Sequence, residues 1–82
     1  MADPEGEIQK ILNGRDLVPG PVISQCFKVK TGKGIGPHKF IAWRSRKNHI
    51  PFVAEGHRIL YSWPEVWDWY LIEFAGKRNR AA

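Results

Sequence analysis

The chain has 82 residues, enough for a single domain with a limited core. Hydrophobic residues make up 43%, with four Trp, four Phe and two Tyr, which argues against wholesale disorder, and no apolar run approaches the ~18 residues of a membrane span. Thirteen Lys and Arg against eight Asp and Glu leave a net charge of +5, and a lone cysteine, Cys26, cannot form an internal disulfide.

The first residues, Met-Ala-Asp-Pro-Glu-Gly-Glu, are acidic and polar, the reverse of a signal peptide, so a cytoplasmic protein is expected. Asp3 is suited to cap a helix over residues 4–13, with Pro4 in its first turn, Ile8, Ile11 and Leu12 on one face and Asn13-Gly14 as its stop. Pro19-Gly20-Pro21 interrupts the chain, which predicts a flexible join near residues 14–21 and an arm over residues 1–20 loosely attached to a domain at 21–76. Val22-Ile23 reads as a brief extended piece. Ser24 then caps a short helix through Val29, and Cys26 is expected to be a packed thiol on its apolar face.

The glycines of Thr31-Gly32-Lys33-Gly34-Ile35-Gly36 forbid regular structure, and Pro37 opens a further helix to about Asn48. Phe40, Ile41 and Trp43 are expected on its buried side, with Lys39, Ala42, Ser45 and Arg46 opposite. Phe52-Val53-Ala54 and Arg58-Ile59-Leu60-Tyr61 read as strands of a hairpin closed by Glu55-Gly56. Ser62 and Glu65 have capping-box spacing, and Val66, Trp67, Tyr70, Leu71 and Phe74 form an apolar helical stripe ending at Gly76. A basic tail, residues 77–82, follows. The fold class expected is α+β: helices plus a two-stranded hairpin, with two helices joined by a turn and the hairpin just after them.

Charge is segregated along the chain. No acidic residue lies between Leu17 and Ala54, a stretch that holds Lys28, Lys30, Lys33, His38, Lys39, Arg44, Arg46, Lys47 and His49. A fold that gathers these residues presents a positive face, and phosphate backbones are the common partner of such a face. Enzyme chemistry finds little support. The glycine-lysine run lacks the spacing of a phosphate-binding P-loop, His38, His49 and His57 lie 11 and 8 residues apart with no cysteine pair, and no carboxylate pair falls in the basic region. No cofactor or metal is expected.

Phe27, the basic turn after it, Phe40-Ile41-Ala42-Trp43, Arg44-Ser45-Arg46-Lys47, Ile50-Pro51, Gly56-His57-Arg58 and Trp67-Asp68-Trp69-Tyr70-Leu71 together resemble the excisionase and MerR-like winged helix-turn-helix family. The likeness covers roughly residues 23–71. The short first helix and its Gly-Lys-rich turn are nearer to phage excisionases than to metal-sensing regulators, and the long dimerisation helix of those regulators is missing.

The resemblance implies a recombination directionality factor, bacterial or phage-encoded. Such a protein binds attachment-site DNA in adjacent copies, bends it and directs a tyrosine recombinase toward excision. His38, Lys39, Ala42 and Arg46 would then read the major groove; Lys28, Lys30, Lys33, Gly36, Arg44 and Lys47 would meet phosphates; His57 and Arg58 would form a wing at the minor groove. Trp63 and Trp69, off the apolar stripe, and Lys77 and Arg78 of the basic tail are the candidates for contacts with other copies or the recombinase, with completion of the core the alternative for the two Trp. A small winged-helix transcriptional regulator and a terminase-type packaging recogniser share these features. A protein-binding adaptor that uses the aromatic-rich last helix is a reading of a different class.

Overall fold

The computed structural model describes residues 3–75, which build an α+β domain in the order α1 (Pro4–Leu12), β1 (Val18–Pro19), α2 (Gly20–Thr31), α3 (Pro37–Arg44), β2 (Val53–Glu55), β3 (Arg58–Tyr61) and α4 (Trp63–Tyr70). A π-helical segment, Leu71–Ala75, continues α4. The three strands form one antiparallel sheet in the order β1-β3-β2.

Local chemistry starts and stops α1 as its sequence foretells. The Asp3 side chain accepts the Glu5 amide at 3.2 Å, Pro4 occupies the first turn, and Asn13 takes a left-handed conformation that ends the helix. Arg15 closes the same end, its Nε donating to the Leu12 carbonyl at 2.9 Å and its guanidinium NH2 to that of Ile11 at 3.1 Å. The loosely attached arm expected of residues 1–20 is instead a packed element. Ile8 is fully buried, Leu12 nearly so, and α1 lies against α2. Their helical spacing gives α1 an apolar face that needs a cover, and α2 supplies it.

The segment expected to be a flexible join holds β1, which pairs Val18 with Tyr61 and Pro19 with Leu60. Pro19 is tolerated because β1 is an edge strand. Helix α2 then begins at Gly20, four residues before the expected cap at Ser24, and Val22-Ile23 is helical rather than extended. Pro21 fits the first helical turn, and Ile23, Cys26 and Phe27 fall at the spacing that buries one helical side, which outweighs the strand preference of two β-branched residues.

Two further boundaries and one cap differ. Helix α3 ends at Arg44, not Asn48, and residues 45–48 form a turn. The two-residue hairpin turn is Gly56-His57, one residue later than expected, because Glu55 pairs with Arg58. Gly56 has φ +63°, the left-handed region in which glycine is unstrained. Ser62 holds the cap position of α4 and its carbonyl accepts the Val66 amide at 2.9 Å, but its side chain makes no cap bond.

The core is aromatic. Phe27 lies between 5.1 and 5.8 Å, centroid to centroid, from Trp43, Trp63, Trp67 and Tyr70. Trp43 also meets Phe40, Trp69 and Phe74. Such tilted and edge-on pairs each add about 0.5–1.5 kcal/mol beyond the area they bury. The cluster clamps α2, α3 and α4 together and fixes how α3 is presented.

Candidate nucleic-acid interface

Helix α3 packs on one side and borders a groove on another. Phe40 and Trp43 are buried against the aromatic core. On its hairpin side, Pro37, Ile41 and Arg44 border an open groove of about 490 Å³ whose far wall is Ile59 and Tyr61 of β3. Helical spacing leaves His38, Ala42 and Ser45 facing outward, and all three are exposed. Lys39 is also exposed, on the flank away from the groove. Ile41, expected in the core, is 52% exposed at the lip of the groove. At 100° per residue its direction falls between the groove and the outer face, too far round to reach the core with Phe40 and Trp43.

The loop between α2 and α3 is pinned rather than slack. Gly32 is left-handed at φ +88° and ends α2. The Thr31 hydroxyl donates to the Phe27 carbonyl at 2.8 Å and accepts the Lys33 amide at 3.3 Å. Ser24, from within α2, accepts the Ile35 amide at 2.8 Å. A Cβ at position 34 would come within 2.8 Å of that Ser24 oxygen, so glycine is what lets the loop pass this close. The loop thus sets Lys33 in solvent and delivers Gly36 to the start of α3, where its carbonyl accepts the amides of Lys39 and Phe40 at 3.1 and 3.3 Å.

The basic residues divide into free and committed groups. Lys28, Lys33, Lys39, Lys47 and Arg58 are exposed, and none takes part in an ion pair among the described residues. Lys30 is bonded to Glu5 at 2.7 Å and sits over the Trp67 ring at 5.2 Å, so it ties α1 to α2 and α4. Arg44 donates to the Tyr61 hydroxyl at 2.8 Å and joins α3 to β3.

Arg46 is the clearest departure. It was expected on the outer side of a longer α3, but it lies beyond the helix end and folds back. Its guanidinium meets Glu73 at 3.3 Å and covers the Phe74 ring at 5.1 Å. Glu73, only 8% exposed, also accepts the Asn48 side-chain amide, while Trp69 Nε1 donates to the Asn48 carbonyl at 2.9 Å. The turn after α3 is therefore bound to the last helix through Glu73 and Trp69. Nothing in the sequence between residues 46 and 73 signals this pairing, since a charged residue on the last helix reads as solvated.

In the hairpin, His57 occupies the exposed turn and Arg58 opposes Glu55 in the ladder. Alternation along β3 places Arg58 on the sheet face opposite Ile59 and Tyr61, so it flanks the groove from the hairpin tip and does not point into it. Trp63 and Trp69, expected as contact residues, are buried at 5% and 7% exposure and belong to the core. The stripe spacing that set them apart assumed an apolar face centred on Tyr70, whereas the buried face is centred on Val66, with Tyr70 at its edge. Lys77 and Arg78, like Gly76, lie outside the described residues.

Burial without a polar partner pushes the Cys26 thiol from 9.0 up to about 11, which makes it a poor nucleophile at neutral pH. Among the described residues no three His, Cys, Asp or Glu side chains are grouped to hold a metal ion, and no helix is long and apolar enough to cross a membrane. No protein-family model matches the chain, and neither a curated protein nor a solved structure matches it.

Proposed function

We propose that this chain is a winged helix-turn-helix protein that binds duplex DNA by sequence. In this reading α3 enters the major groove, and the β2-β3 hairpin is the wing. One observation carries it: α3 turns His38 and Ala42 outward on a helix clamped by its aromatic side, within the acid-free stretch, with a hairpin on one flank. A rigid helix of groove width with outward polar and small side chains is what base-edge recognition needs.

Exposure and pairing support the following division of roles. His38, Ala42 and Lys39 are the base-reading candidates. Lys28, Lys33, Lys47 and Arg58 are free to neutralise phosphates, and His57 stands at the wing tip. Arg46, engaged by Glu73, positions the turn that carries Lys47 and is not expected to read bases. Lys30 and Arg44 serve as braces between elements.

The resemblance of residues 23–71 to excisionases supports a role in excision. Several copies would occupy adjacent sites in an attachment region, bend the DNA, and favour excision by a partner tyrosine recombinase. Bending a site of 20–30 base pairs costs about 1–6 kcal/mol, which contacts between copies or with the recombinase would offset.

The test has two stages. Fluorescence anisotropy on a duplex, repeated over a salt series, should give a slope of log affinity on log salt near −4 to −5, the release expected when about five phosphates are neutralised. A slope near zero would remove the DNA reading. Footprinting on the DNA flanking its own gene, with and without the adjacent recombinase, then separates an excisionase from a transcriptional regulator. Only the former should show protection that extends or strengthens with the recombinase present.

A further inference from the structure

Within the DNA-binding reading above, on which it rests, we propose that Ile41 determines specificity by packing against thymine methyl groups in the major groove. Three observations converge on it. First, Ile41 is 52% exposed in the middle of α3, although isoleucine loses side-chain freedom in a helix and gains nothing there from the core. Second, its outward neighbours toward the end of α3 offer no free side-chain hydrogen-bond donor. Ala42 has none, and the Ser45 hydroxyl donates to the Ile41 carbonyl at 3.0 Å, which turns its proton back onto the helix. Third, Ile41 lines the same groove as Ile35 and Ile59, so apolar side chains continue from the helix across to the hairpin.

The centre of the helix face can therefore distinguish bases chiefly by apolar contact. In the major groove the feature that rewards such contact is the C5-methyl of thymine. Hydrogen-bonded readout is left to His38 and Lys39 toward the start of α3. The resulting site has one or two thymines at its centre, beside a position read by polar side chains.

Sites selected by the wild-type chain from a randomised duplex pool provide the test. Each selected thymidine is replaced in turn by deoxyuridine, which removes only the methyl group. Wild-type affinity should fall about fourfold at the position Ile41 covers, the value of one buried methyl-sized group. Ile41→Ala should bind the thymidine and deoxyuridine duplexes equally, while Ile41→Val, which keeps the branch, should retain most of the discrimination. An unchanged thermal midpoint for Ile41→Ala, expected of a half-exposed residue, shows that the fold is intact. Equal methyl sensitivity in wild type and Ile41→Ala would assign the contact to Ala42 and overturn the inference, and so would no methyl sensitivity at any position. In both cases DNA binding by α3 would stand. A pool that fails to enrich at all would overturn sequence reading by α3, and this inference with it.

Discussion

Cys26 shows how burial alone changes a residue's chemistry. With no exposed surface, the thiol is held neutral and its pKa raised to about 11. Maleimide labelling at pH 7 should consequently be slow in the native state and become fast only in denaturant. The same shift has a signature in stability. The folded pKa lies above the unfolded value of 9.0, so the unfolded chain loses its proton first as pH rises. The contribution is fully present below about pH 9 and is lost progressively toward pH 11. Urea unfolding of wild type and Cys26→Ala across pH 8–11 should show the wild type losing stability relative to the variant in that window. Ser24 makes a complementary point at the same scale. Read in isolation, a serine before an apolar run is a cap, yet here it sits inside a helix and accepts the amide of Ile35, eleven residues away.

Among the elements, the hairpin and the last helix differ in how much local sequence controls them. The hairpin depends on one glycine. Gly56 is left-handed, and a Cβ there meets open space but pays the strain of that conformation. Gly56→Ala should cost about 1 kcal/mol in chemical denaturation, and Gly56→Asn less, since asparagine tolerates the left-handed region. Helix α4 is set by its surroundings. Its start was legible from Ser62, Pro64 and Glu65, but which of its four aromatic residues face inward was not. Trp63 and Trp69 are drawn into the core because Phe27 and Trp43 present ring edges and faces to them. Helix α3 shows the same division. Its start at Pro37 follows from the glycine-proline step, while its end at Arg44 is imposed by the attachment of Asn48 and Arg46 to Glu73.

At the level of the whole molecule, α1 completes the core and is not an appendage. Ile8 has no exposed surface, and Lys30 bonds to Glu5 across the α1-α2 contact. The exposed pair contributes at most about 1 kcal/mol, so the apolar contact carries the attachment. Ile8→Ala should cost about 2–5 kcal/mol, read as a lowered urea midpoint with an unchanged slope. A loosely held arm would leave the midpoint where it is. The consequence for function is rigidity: α1 braces α2, α2 holds the loop through Ser24 and Thr31, and the loop fixes the start of α3.

The number of helices, the hairpin and the start of most elements could be read along the chain. Prolines, left-handed residues and capping side chains act within a few residues of the backbone they control, so their effects can be read in order. The sequence also marked out the acid-free segment from which the candidate interface is drawn, because charge can be counted before a chain is folded. Packing, by contrast, settled that α1 is packed against α2, that Ile41 faces water while Trp63 and Trp69 do not, and that Arg46 is taken up by Glu73, 27 residues further on. Those outcomes depend on which surfaces meet, and side chains far apart in the chain compete for the same buried space and the same charge.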